Sequence, residues 1–238
     1  MAFERPSSSI RFSVGVAFLA WISAYVLALN LQALAISLAG YGGDDPETWP
    51  LSMTVISVIL LWIPFVVALV VVSQYWGEGR PLKDFRVSFR LADVVGIPIG
   101  IASQLILLPL VYWPLQNFFP DTFSSEDIEE RARDLWDKAD GVWVLALIAV
   151  VVIGAPLIEE IVYRGMILQA LQGRLHEILA LVLSAAWFGA IHLQPVEFPG
   201  LFVFGLVLGL CFQKTGRLGS AILAHAAFNA TGLLLVSL

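Results

Sequence analysis

The chain has 238 residues, of which 59% are hydrophobic and 13% charged, with a mean hydropathy of +0.86. A soluble domain carries roughly 25% charged residues, so these figures exclude an ordinary soluble globule and place the chain among polytopic membrane proteins. A net charge of −6 and the lack of a basic cluster with interleaved aromatics argue against a nucleic-acid partner.

A bilayer-spanning helix takes about 20 mostly apolar residues. Arg5 and Arg11 precede a first apolar run over residues 14–38. A signal peptide has an apolar stretch of only about 7–15 residues, so this run reads as a retained first helix. Further spans are expected at residues 53–74, at 94–115 and from 142 onward, with shorter ones at 178–193, 201–212 and 221–238. The expected fold is all-α: a polytopic transmembrane helix bundle of about seven helices (six to eight). It forms one integral-membrane domain, with peripheral N-terminal helices in residues 1–93 and a core in residues 94–238. Gly205 and Gly209 form a G-x-x-x-G that lets a neighbouring helix approach closely. Cys211 is the single cysteine, which rules out an intrachain disulfide.

Short loops rich in Lys and Arg stay cytoplasmic. Residues 76–93 contain Arg80, Lys83, Arg86 and Arg90, whereas residues 40–50 contain no basic residue. This bias puts the N-terminus, the 76–93 loop and the turns at Arg174 and at Lys214 to Arg217 in the cytoplasm of a cell-membrane protein. Residues 117–140 and 194–199 then face the other side. Within the former, SSEDIEERARDLWDKAD reads as a Ser-capped amphipathic helix whose Ile128, Leu135 and Trp136 rest on the membrane.

The fourth span contains APLIEEIVYRG, in which Glu159, Glu160 and Arg164 interrupt an apolar run. Each charge costs roughly 2.5–3.5 kcal/mol at the centre of a membrane helix, and an intramembrane ionisable residue marks a functional site by default. The apolar sequence continues to Gly173, which sets the glutamates roughly 20 Å from the turn at Arg174. Residues 177–192 climb back from that turn and bring His192 to the same level, and His225 reaches a similar depth on the last helix. Glu160 and Arg164 are four apart with the acid first, the favourable order for an ion pair. Glu159 is then the less compensated carboxylate and is suited to general-base work. Pro156 removes a backbone N–H and kinks the helix. Phe188 and His192 share one helix face, as do His225 and Asn229. His176 lies in a turn beside Arg174 and reads as an interfacial residue.

Glu159-Glu160-x-x-x-Arg164, Phe188-x-x-x-His192 and His225-x-x-x-Asn229, in this order on successive apolar helices, resemble the three motifs of the CAAX-protease and bacteriocin-processing family of intramembrane proteases. That family includes the type II CAAX prenyl endopeptidases, and the resemblance covers residues 141–238. It implies a glutamate-dependent intramembrane endopeptidase that works without a cofactor on a membrane-associated protein or peptide in the lipid bilayer. By motif position, Glu159 and His192 would activate the attacking water, and His225 and Asn229 would stabilise the oxyanion. Glu160 and Arg164 would organise the site. Two alternatives stay open. One is a zinc peptidase with Glu160, His192 and His225 as ligands, since three protein ligands plus water suit catalytic zinc, although no H-E-x-x-H occurs. The other is a non-enzymatic membrane scaffold or immunity protein that retains the motifs as a buried polar network.

The charge bias sets an orientation that thiol labelling can check. In a Cys211→Ser background on intact cells, Ser125→Cys should react with a membrane-impermeant reagent and Gly216→Cys should not. The reverse pattern would invert the protein in the membrane.

Overall fold

The computed structural model describes residues 12–238. Arg5 and Arg11, on which the reading of a cytoplasmic N-terminus partly rests, lie outside the described residues. The chain forms α1 (Val14–Leu38), α2 (Leu51–Trp76), α3 (Leu91–Phe118), α4 (Ser125–Asp137), α5 (Val142–Gln172), α6 (Glu177–Ala190), α7 (Phe198–Thr215) and α8 (Gly219–Val236). No strand occurs among the described residues. Six helices, α1, α2, α3, α5, α7 and α8, are long and apolar enough to cross a membrane. The seventh apolar helix, α6, has 14 residues and rises only about 21 Å, short of the ~30 Å hydrocarbon core. The protein is an integral membrane helix bundle, as its hydropathy pattern requires.

Two prolines shape the long helices. A π-helical turn over Ser103–Leu107 precedes Pro109 in α3, and another over Ala149–Gly154 precedes Pro156 in α5. Proline lacks the N–H of the regular ladder, and its ring crowds the carbonyl four residues back. In both helices a wider turn accommodates that clash. A third π-helical stretch, Ile161–Leu168, carries Arg164.

Glycines set the closest helix contacts. A Cβ at Gly96 or Gly100 would overlap the backbone carbonyl of Ser220 or Ala224, respectively, so α3 and α8 meet backbone to backbone. Sequence reading overlooked this pair. Gly205 and Gly209, which it did single out, seat α7 against Ala185 and Leu181 of α6. At one end of the bundle, Arg217 clamps the buried Asp93 through Nε at 2.9 Å and Nη2 at 2.7 Å, which ties the start of α3 to the turn before α8.

The loop between α2 and α3 packs on both α5 and the turn before α8, where the Leu218 N–H donates to the Arg86 carbonyl at 3.0 Å. The buried Phe85 packs where Gly165 lacks a side chain, and Gln169 Nε2 donates to the Asp84 carbonyl at 3.3 Å. Gly165 is about 9 Å along the helix from Glu159. The glutamates therefore lie nearer to this loop than the roughly 20 Å counted from the Arg174 turn. One expectation, on α4, needs correction. Ser124 caps it as expected, accepting from the Asp127 N–H at 3.0 Å. Its Ala132, Leu135 and Trp136, however, pack on Leu51, Leu147, Leu233 and Val236 rather than resting on lipid, and Ile128 faces a cavity. The ends of α2, α5 and α8 supply an apolar seat, and the amphipathic stripe is buried there.

The α3–α8 contact yields a stability prediction. Gly100→Ala should lower stability in detergent melts by roughly 2–3 kcal/mol, the scale of an overpacked contact. Gly15→Ala, whose added Cβ would meet nothing closer than 3.7 Å, should leave the melt unchanged.

Candidate active site

A cavity of about 830 Å³ runs from beneath α4 into the bundle. Among the expected site residues, Glu159, His192, His225 and Asn229 line it, while Glu160 and Arg164 lie behind its wall with side chains 0% and 1% exposed. The structure thus brings all six together but sorts them into a wall and a support. The sorting follows from α5 itself: consecutive residues on a helix point in directions about 100° apart, so of the two adjacent glutamates only one faces the cavity.

The support is a knot of charge. Glu160 Oε1 accepts from Arg164 Nη1 at 2.8 Å and from His225 Nδ1 at 2.8 Å. Its other oxygen, Oε2, is buried without a partner among the described residues, so these two bonds are the carboxylate's compensation. Arg164 Nη2 donates to the Gly205 carbonyl at 3.1 Å, and its guanidinium carbon sits 4.4 Å from the Phe188 ring centre. One arginine thereby joins α5, α6 and α7, through an ion pair, a backbone bond and a cation–π contact. The carbonyl of Gly205 was not legible in the sequence, where the G-x-x-x-G signalled packing alone.

Each histidine has one nitrogen committed. His192 Nδ1 lies 2.8 Å from the Phe188 carbonyl. A carbonyl only accepts, so Nδ1 carries the proton and the lone pair of the neutral ring is on Nε2. His225 gives its Nδ1–H to Glu160, which leaves Nε2 at 3.8 Å from Glu159 Oε2. The His225 ring is held edge to face between Phe188 and Phe204, with centroids at 5.8 and 5.6 Å. Phe204 carried no signal in the sequence that set it apart from other membrane phenylalanines. Asn229 donates from Nδ2 to the Val151 carbonyl at 2.8 Å. Val151 belongs to the π-helical turn before Pro156, so the irregular backbone there offers an acceptor that a regular helix would use internally. Glu159 keeps a quarter of its side chain exposed in the cavity, with Tyr163 one turn further along α5.

Among the described residues, no group of three His, Cys, Asp or Glu side chains is arranged to hold a metal ion. Glu160, His192 and His225, the alternative zinc ligands, are not such a group. Glu160 Oε1 and His225 Nδ1 are spent on each other, and His192 Nδ1 is spent on a backbone carbonyl.

The bundle and its site define an integral membrane protein with a glutamate–histidine cluster buried beside a cavity. Residues 141–231 match the family model described as Type II CAAX prenyl endopeptidase Rce1-like. The match encloses all three motifs and bears out over those residues the resemblance read from them. No curated protein and no solved structure matches the chain.

Removing Arg164 should be costly, because the charge on Glu160 would lose its partner. Arg164→Ala should destabilise the protein by about 3–5 kcal/mol in detergent unfolding, the scale for breaking a buried pair. Arg164→Lys should fall between, since an ammonium lacks the fork that serves Glu160 and Gly205 together. An alanine variant as stable as the wild type would mean that Glu160 is not a buried charge.

Proposed function

We propose that the protein is a glutamate-dependent intramembrane endopeptidase that hydrolyses a peptide bond of a membrane-associated protein or peptide. The observation that carries this reading is the division of labour between two adjacent carboxylates. Glu160 is neutralised by Arg164 and His225, while Glu159 faces the cavity with His192, His225 and Asn229 around it.

In the proposed reaction a water bound between Glu159 and His192 Nε2 gives its proton to Glu159 as its oxygen attacks the carbonyl carbon. His192, its tautomer held by the Phe188 carbonyl, orients that water as an acceptor. The developing oxyanion takes hydrogen bonds from His225 Nε2–H and from the second amide proton of Asn229. In this scheme His225 donates from both ring nitrogens, Nδ1 to Glu160 and Nε2 to the oxyanion. When the tetrahedral intermediate collapses, the C–N bond breaks and Glu159 returns the proton to the leaving nitrogen, giving one acid and one amine. General-base catalysis contributes about 10²–10⁴, and one oxyanion donor in a dry site roughly 10²–10³.

Glu159→Gln tests the reading. The amide is nearly isosteric, so the variant should keep its melting behaviour while losing at least about 10² in rate. Comparative terminal proteomics of membranes carrying wild type or Glu159→Gln should reveal new protein termini in the former alone. Equal termini at equal rates in both would overturn the mechanism.

A further inference from the structure

Four carboxamides line the cavity: Gln32, Gln104, Gln116 and Asn229. Three are engaged within the protein. Gln32 donates to the Ser57 carbonyl at 2.8 Å, Gln116 to Ser125 Oγ at 3.1 Å and Asn229 to the Val151 carbonyl at 2.8 Å. Gln104 differs, because its Oε1 is buried with no partner among the described residues. An acceptor left idle in apolar surroundings costs free energy that an apolar residue of the same shape would not.

The position of Gln104 is tightly held. It lies in the π-helical turn Ser103–Leu107, one turn beyond the point where Gly100 meets the backbone of α8. Its amide rests on Gly232, whose missing Cβ would lie 3.4–3.7 Å from the three terminal atoms of Gln104. Gly232 is seven residues after His225 on α8, and two helical turns place Gln104 about 10 Å from the His225 level. A peptide in extended conformation rises about 3.3 Å per residue and offers a main-chain N–H to one side at every second residue. In such a chain, ~10 Å is about three residues.

We propose that Gln104 is a substrate-positioning residue whose Oε1 accepts a hydrogen bond from a main-chain N–H of an extended peptide, about three residues from the bond that is cut. It rests on the protease reading above and adds to it a preference for unstructured, extended segments. A helical segment keeps its N–H groups for itself, whereas an extended one presents them to the wall.

The test replaces N–H groups one at a time. The probe is a quenched fluorescent peptide in proteoliposomes, its sequence taken from a terminus whose appearance requires Glu159, with single backbone amides exchanged for esters. In the wild type, one ester two to four residues from the cut should lower kcat/KM by about fivefold to tenfold, the scale of one hydrogen bond. Gln104→Met should show a similar loss on the all-amide peptide, mainly in KM, and should no longer distinguish that ester from the amide. Without peptide, Gln104→Met should melt at or above the wild-type temperature, because an idle acceptor has been removed. An ester penalty that persists undiminished in Gln104→Met, or a variant that melts well below wild type or fails to fold, overturns the assignment. Loss of all Glu159 dependence among the termini overturns the protease reading, and this assignment with it. A persistent ester penalty alongside intact Glu159 dependence overturns the role of Gln104 alone.

Discussion

The site depends on one buried carboxylate. Glu160 has no exposed surface, and taking an ion out of water costs several kcal/mol even after relaxation. That cost is offset only with its partners in place, so the need to satisfy Glu160 constrains every element around it. Arg164 must reach back along α5, and His225 must turn Nδ1 toward the same oxygen. The remaining guanidinium arm and face then demand a carbonyl and a ring, supplied by Gly205 of α7 and Phe188 of α6. With Nδ1 committed, His225 has only Nε2 to offer on the side of Glu159. The electrostatics that organise the site thus act at one remove from its wall.

Such a knot needs helices that arrive at matching depth and close range. In lipid there is little hydrophobic drive between helices, so close packing of small residues takes its place. Gly96 and Gly100 let α3 touch the backbone of α8, which carries His225 and Asn229, while Gly205 and Gly209 press α7 onto α6, which carries Phe188 and leads to His192. At the bundle's end the Asp93–Arg217 pair sets the height at which α8 begins. Prolines add local irregularity where it is used: the wide turn before Pro156 presents the Val151 carbonyl to Asn229, and the one before Pro109 carries Gln104.

Over the cavity, α4 is held by two kinds of contact of unequal strength. Arg131 and Glu197 approach to 3.6 Å with the arginine side chain about half exposed, and such a pair contributes at most about 1 kcal/mol. The apolar seat of Ala132, Leu135 and Trp136 on three helix ends removes more surface from water. The cover's place is therefore decided by packing rather than by its many charges.

Much of this molecule was legible in local pattern. Apolar runs long enough to cross a bilayer gave the spans, and the observed α1, Val14–Leu38, coincides with the run read from sequence. Spacing of four residues gave the Glu160–Arg164 pair, because helical periodicity is set by the backbone alone. The intramembrane charges stood out through their cost. Other features required partners distant in the chain. Arg164 meets Gly205 across 41 residues with nothing at either position to announce the other, and Glu160 meets His225 across 65, where depth put the two at one level without giving the bond between them. Gly96 and Gly100 mattered only once α8 lay against them, and the apolar stripe of α4 fitted lipid as well as it fitted the helix ends that took it. Sequence by itself determined which groups are too costly to leave unpaired in a membrane. Tertiary structure decided which atoms satisfy them, because a hydrogen bond acts over about 3 Å and only the folded bundle brings remote residues within that distance.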